Sequence, residues 1–126
     1  MRLIITLFLL SLVCNGCRNE PTTPGTDTTS QTREAQTSEL RHKLRAVTTA
    51  DGISKSEAEL IAECYFHQNV GCGAFTGIQD GGDFWIVDAK VGFAGTPVKD
   101  FHIDKRTGRI TSPIGPSYAT PLQIFP

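Results

Sequence analysis

Two cysteines and two histidines in the second half of the chain are the side chains best suited to chemistry. They are Cys64, His67, Cys72 and His102. Cys64 and His67 stand three residues apart, so a helix would place them on one face, and zinc binds well to thiolate and imidazole groups. The spacing matches no standard zinc finger, however, and His102 is distant in sequence. We therefore expect no metal ion here and keep zinc as the alternative.

A disulfide between Cys64 and Cys72 is the simpler prediction for a protein exported from the cytoplasm. It would pin a helix to the strand that follows, and closing so short a loop would contribute roughly 2.6 kcal/mol to stability. A nucleophilic pair of Cys64 and His67 is a weaker alternative, because it requires a reduced thiol and a third group that orients the histidine. No residue stands out as that third group, so we predict no catalytic residues.

The remaining charged residues point away from enzymes and from nucleic acids. Asp80 and Asp104 are explained by turns, and the other carboxylates of this region by a solvated sheet face. The sequence has no glycine-rich phosphate loop, no nucleophile elbow and no histidine pair for a metal ion. Its 12 basic and 13 acidic residues leave a net charge of −1, with no basic cluster for a phosphate backbone. We expect neither a cofactor nor a nucleic-acid partner.

The N-terminus predicts export. One positive charge at Arg2 precedes an apolar run of about ten residues that ends at Val13, which is the pattern of a secretory signal peptide. The run is too short to cross a bilayer as a permanent helix, which needs about 20 apolar residues. We therefore predict a cleaved signal peptide at residues 1–16.

Cys17 is the predicted site of a lipid anchor. Gly16, a small residue, directly precedes it, and this arrangement resembles the lipobox of bacterial lipoproteins, in which the cysteine is lipidated and becomes the first mature residue. Cys14 and Asn15 stand where an aliphatic and a small residue are usual, so cleavage by an ordinary signal peptidase is the alternative. Arg18 follows the anchor, and by resemblance to a sorting rule of Gram-negative lipoproteins the lack of an aspartate there favours the outer membrane. The resemblance implies a membrane-attached protein of the bacterial cell envelope, facing the periplasm or the cell surface.

A lipid anchor followed by a disordered tether is predicted at residues 17–38. Thr, Ser and Pro dominate this stretch, with no aromatic residue and no aliphatic side chain larger than that of Ala35. Such a segment cannot bury enough apolar surface to offset the entropy of ordering it. Leu40, Leu44 and Val47 then have the spacing of a helix that docks on a domain.

The main helix of the chain is predicted from its start and its apolar face. Ser54 and Glu57 have the spacing of a capping box. Gly71 and Gly73 predict that the helix ends at 68–70, because glycine accepts the left-handed backbone that closes many helices. The face predicted to be buried consists of Ala58, Ile61, Ala62, Tyr65 and Phe66.

Antiparallel strands are predicted after the helix. The sequence Asp80-Gly81-Gly82 predicts a hairpin turn, and residues 104–108 predict a second turn that ends in a glycine. The strands are expected at 75–79, 84–91, 98–104 and 109–111, with Trp85, Val87, Ala89 and Val91 on the face that meets the helix. These elements predict an α+β, cystatin-like fold, in which one main helix packs on a curved antiparallel sheet of three to four strands. The single small domain should span residues 39–126, with its core at 53–112 and a proline-rich tail at 113–126.

The segment from Ile53 to Thr111 resembles the PepSY domain family, small exported modules that occur on lipoproteins and on propeptides of secreted peptidases. Trp85-Ile86-Val87 matches the family's aromatic-x-Val strand. The other two motifs are Ile53-Ser54-x-x-Glu57-Ala58-x-x-Ile61-Ala62 at the helix start and Ile103-Asp104-x-x-Thr107-Gly108-x-Ile110 at the closing turn. The resemblance implies a non-catalytic domain that binds or inhibits a protein partner, a peptidase for example.

A second resemblance leads to a related expectation. The closing motif, with Gly95-Thr96-Pro97 before it and Gly115-Pro116-Ser117 after it, is also similar to small immunity proteins of polymorphic toxin systems, including those with an NTF2-like fold. This resemblance implies a periplasmic immunity protein that neutralises a toxin, and it is the alternative function. Both families imply binding rather than chemistry. For the PepSY-like module we expect the partner to bind the sheet face or edge away from the helix. A zinc-binding or thiol enzyme is the third and weakest hypothesis.

Overall fold

The computed structural model describes residues 28–126 of the chain. Its elements are α1 (Thr28–Arg45), α2 (Lys55–Asn69), β1 (Gly73–Asp80), β2 (Phe84–Val91), β3 (Thr96–Pro97), β4 (His102–Asp104), β5 (Ile110–Thr111) and a 3-10 turn at Pro121–Ile124. The five strands form one antiparallel sheet in the order β1-β2-β4-β5, with β3 also beside β2. The expected α+β class is confirmed, with two helices rather than one packed on the sheet. The predicted signal peptide, Cys17 and the first part of the predicted tether lie outside the described residues.

Helix α2 begins as its sequence predicts. The backbone N–H of Ser54 donates to the Glu57 carboxylate at 2.8 Å, and the Ser54 hydroxyl accepts from the Glu57 N–H at 3.3 Å, which completes the capping box. The helix ends at Asn69, within the predicted range, but no left-handed glycine closes it. Val70 does so in an extended conformation, with its N–H bonded to Phe66.

Helix α1 corrects the predicted tether. Residues from Thr28 to Ser38, expected to be disordered, are the first eleven residues of this helix. Leu40 and Leu44, which are 4 % and 1 % exposed, dock its C-terminal half on the core. Once that turn is fixed, each further residue towards the N-terminus adds one backbone hydrogen bond, and the Gln, Arg, Glu and Ala residues there favour helix. The composition of this segment therefore predicts disorder wrongly, because the apolar residues that hold the helix on the core come later in the chain.

The sheet meets the helices with the predicted face of β2. Val87 and Ala89 are buried, and Trp85 and Val91 pack against the same core. Only residues 102–104 of the third strand predicted at 98–104 form a strand, β4, whereas β3 lies in the segment that was predicted to be a connection. The pairing register against β2 shifts by one residue between β3 and β4, which marks a bulge. Asp100, which has a φ of 62°, lies in that bulge. Bulges of this kind bend a strand and increase its local twist.

The proline-rich tail is part of the domain core. Pro121, Ile124 and Phe125 are buried. Tyr118 exchanges two backbone hydrogen bonds with Ile110, which extends pairing beyond β5. Because the tail also contacts α1 and α2, it lies with the helices on one side of the sheet. The other face of the sheet is therefore left to solvent.

None of the helices found in residues 28–126 is long and apolar enough to cross a membrane.

Candidate functional site

Cys64 is a core residue, and the disulfide predicted between it and Cys72 is not formed. The Cys64 side chain is fully buried and points towards α1, where its Sγ lies 3.8 Å from the Leu40 carbonyl oxygen. Burial raises the pKa of this thiol to about 12. The sequence predicted a docking helix at Leu40, Leu44 and Val47, but the disulfide was predicted without considering that this helix would cover the face of α2 that carries Cys64.

The four residues of the alternative zinc site are not brought together. His67 is paired with α1, since its Nε2 lies 2.7 Å from the Thr37 hydroxyl. His102 lies on β4, where its ring packs on Phe84. Within the described part of the chain, no group of three or more His, Cys, Asp or Glu side chains could hold a metal ion. The buried, protonated Cys64 is also unsuited to act as a nucleophile, because the thiolate is the reactive form.

Thiol labelling tests the position of Cys64. At pH 8 we expect N-ethylmaleimide to leave Cys64 unmodified in the folded protein and to modify it fully in guanidinium chloride, as measured by peptide mass spectrometry. The folded thiol is neutral up to a pKa of about 12, whereas the ordinary value is 9.0. A raised folded pKa also means that the stability contributed by the neutral thiol is complete below pH 9 and is lost as the pH rises towards 12. Modification in denaturant only after a reductant is added would instead reveal a disulfide.

The two turn carboxylates have the predicted role. Asp104 Oδ1 accepts hydrogen bonds from the backbone N–H groups of Arg106 and Thr107, at 2.9 and 2.7 Å. The bonds from Thr107 are the main reason that the pKa of Asp104 is lowered. Asp80 Oδ1 accepts from the Gly82 N–H at 2.8 Å, which fixes the β1–β2 turn. These carboxylates shape the backbone and are not free for acid or base catalysis.

A basic and aromatic cluster at the β1–β2 turn was not anticipated. The Lys105 ammonium lies 2.7 Å from Asp80 Oδ1 and 4.2 Å from the centre of the Trp85 ring. The hydrogen bond from Lys105 lowers the pKa of the Asp80 carboxyl. The Trp85 indole N–H donates to the Ile53 carbonyl at 2.8 Å, which ties the start of α2 to the sheet. All four groups are used in joining elements, so the cluster is structural.

The face of the sheet away from the helices carries a different set of side chains, which we call the open face. Because side chains alternate along a strand, burial of Val87 and Ala89 on the helix side turns their neighbours outwards. Ile86 pairs across the sheet with Gln79 on one side and His102 on the other. The open face consists of Gln79, Phe84, Ile86, Asp88, Lys90 and His102.

The centre of the open face is aromatic and apolar. The Phe84 and His102 rings lie 4.4 Å apart, centre to centre, and Ile86 is their neighbour. Gly81 makes this packing possible, since a Cβ there would come within 2.7 Å of the Phe84 ring and 2.9 Å of Ile86. Phe84, Ile86 and His102 are all half-buried rather than covered.

Polar groups border this apolar centre. The Gln79 amide donates to the Asp88 carboxylate at 2.6 Å, and the Thr76 hydroxyl donates to the Asp88 carbonyl at 3.0 Å. Lys90 is the next outward residue of β2 and is exposed. An apolar centre with a polar border is the usual arrangement of a protein-binding surface.

The sequence contains a signal for this surface that the strand analysis did not use. Phe84-Trp85-Ile86-Val87 is a run of four large apolar residues at the start of β2. A strand with one solvated face normally alternates apolar and polar residues. The run therefore places apolar groups on both faces, although the sequence does not show which face the helices cover.

A cleft of about 650 Å³ lies between the two helices and the start of β1. Its walls include Arg33, Gln36, Phe66, His67 and Phe75. The His67 ring is already bonded to Thr37, so the cleft offers one exposed cation, Arg33, one exposed carboxylate, Glu63, and an aromatic wall.

No family model, curated protein or solved structure matches this chain in the comparisons with known proteins.

Proposed function

We propose that the protein is a non-catalytic, lipid-anchored module of the bacterial cell envelope that binds a protein partner through the open face. The observation that carries this proposal is the apolar centre of that face, formed by Phe84 and Ile86 on the side that the helices and the tail do not cover. The lipobox-like sequence at Cys17 supports the anchor.

The apolar side chains of the open face can lose their contact with water only when a partner covers them. A solvated antiparallel face can be built entirely from polar residues. Large apolar side chains on such a face therefore stabilise the folded monomer only through the apolar surface that they bury against one another. A partner that covered them would remove the remaining apolar area from water, at about 25 cal/mol for each Å². The Gln79–Asp88 pair and Lys90 then supply hydrogen bonds and charge at the border.

Site-specific crosslinking in the cell envelope tests the proposal. A photoreactive side chain in place of Ile86 should yield a discrete crosslinked protein, whereas the same group in place of Glu59, which is exposed on α2, should not. The identity of the captured protein separates the two resemblances, since a peptidase would favour the PepSY-like role and a toxin the immunity role. Crosslinks of equal yield from both positions would contradict the proposal, as would none from Ile86.

Truncation of the open face should weaken the captured complex. We expect Phe84→Ala to raise the dissociation constant of that partner at least about tenfold, or about 1.4 kcal/mol, since central aromatic residues dominate binding energies. Calorimetry would measure the change. Leu122→Ala is the matched control, because Leu122 is exposed but lies on the tail beside the helices. An unchanged affinity in Phe84→Ala would place the binding site elsewhere.

A further inference from the structure

The loop between β2 and β3 presents the most exposed large apolar side chain of the described residues. Phe93 is 88 % exposed. It stands between Gly92 and Gly95, whose φ angles of 71° and 64° favour glycine, and the Gly95 N–H bonds back to the Gly92 carbonyl at 3.2 Å. We call residues 92–95 the tip. Its two glycines form a tight turn that holds Phe93 away from the domain.

The sequence around the tip is uncharged and then flanked by lysines. No charged residue occurs from Val91 to Val98, whereas Lys90 and Lys99 stand on either side, with Asp100 next to the second. Lysine side chains can lie along an apolar surface while their ammonium groups stay in water or among anionic headgroups. Phenylalanine is one of the residues that interfacial segments insert at the boundary between lipid headgroups and acyl chains.

The tip lies at the end of the domain where α1 begins. The Gly92 N–H donates to the Cys72 carbonyl at 2.9 Å, which joins the tip to the start of β1. Arg33 and Gln36 of α1 share a cleft with Gly73, the first residue of β1. The chain therefore enters the described fold on the same side as Phe93.

The anchor cannot be far from this end. Whatever its conformation, the chain from Cys17 to Thr28 has eleven peptide steps and spans at most about 40 Å. The predicted tether would have been longer by the eleven residues that α1 makes helical. Lipidation of Cys17 would keep the first turn of α1 within about 40 Å of the bilayer, and the tip lies at the same end of the fold.

We propose that the tip is a membrane contact and that Phe93 enters the headgroup region of the bilayer to which the protein is anchored. This inference rests on the proposed lipid anchor. One aromatic side chain is too small to hold a protein on a membrane, so the tip orients the anchored domain rather than recruiting it. Since the tip is at the end of β2, the strands stand on the membrane and the open face stays free for a partner.

Tryptophan quenching tests the contact in the full, acylated chain. Phe93→Trp and, as the matched control, Leu122→Trp are reconstituted in phosphatidylcholine and phosphatidylglycerol vesicles with lipids brominated near the headgroup. Leu122 is the other exposed large apolar residue in residues 28–126. It lies in the turn that begins at Pro121, which packs against Gly108 at the opposite end of the sheet. The signal of the native Trp85 is subtracted by using the unsubstituted protein.

We expect brominated lipid to quench the Phe93→Trp fluorescence and to leave the Leu122→Trp fluorescence unchanged. Equal quenching of the two, or none, in protein whose acyl chains are confirmed by mass spectrometry would overturn the membrane contact and leave the proposed function intact. A mature N-terminus without acyl chains would overturn the anchor and this inference together. Circular dichroism of both variants confirms that each is folded.

Discussion

Replacing Leu44 by alanine is expected to lower the free energy of unfolding by about 2–5 kcal/mol, the usual range for truncating a buried leucine. Leu44 is 1 % exposed, and with Leu40 it fastens the C-terminal half of α1 to the core. The first half of the helix is mostly exposed, so it has few other contacts to hold it in place. Urea unfolding measures the loss.

Leu122→Ala makes the same chemical change at a residue that is 53 % exposed. A change within about 0.5 kcal/mol is expected there, as for most surface substitutions. If Leu44→Ala cost no more than this control, α1 would not be docked on the domain. The predicted tether would then extend to residue 38 as its composition indicates.

The sequence predicts the local features of the fold well, because they depend on neighbouring residues. The capping box of Ser54 and Glu57 and the turn bonds of Asp104 each need only a few residues of chain. The alternation in β2 likewise predicts that Val87 and Ala89 meet the helices. These predictions are confirmed.

Features that depend on distant partners could not be predicted in the same way. The order of Thr28–Ser38 depends on leucines further along α1, and the environment of Cys64 depends on the Leu40 carbonyl of that helix. The division between β3 and β4 depends on a bulge at Asp100, which no local motif marks. Each of these errors follows from tertiary contacts that local sequence does not encode.

The candidate site likewise could not be predicted from local sequence alone. The apolar run that contains Phe84 and Ile86 is visible in the sequence, but its meaning depends on both helices and the tail lying on the opposite face. The tail in particular was expected to extend beyond the core, whereas Ile124 and Phe125 complete it. Because the tail closes the helix side, the open face is the side left for a partner.

Replacing Gly108 by alanine is expected to destabilise the domain by about 2–5 kcal/mol, from two additive causes. Its φ of 71° is a left-handed conformation, which costs a residue with a Cβ about 1–2 kcal/mol. That Cβ would also lie 2.9 Å from Cγ and 3.0 Å from Cδ of Pro121, and relieving such crowding costs about 1–3 kcal/mol. The prediction therefore tests whether the tail packs on the turn that closes the sheet.

Two further variants separate these causes. Gly82→Ala has the backbone cost without the crowding, since Gly82 has a φ of 88° and no atom within 4 Å of the added Cβ, so a loss of about 1–2 kcal/mol is expected. Pro121→Ala removes both crowded atoms, and combining it with Gly108→Ala should cost less than the sum of the two single changes. Urea unfolding of the four variants, Gly108→Ala, Gly82→Ala, Pro121→Ala and the double change, measures this coupling. Strict additivity of Gly108→Ala and Pro121→Ala would mean that the tail does not pack against the turn that closes the sheet.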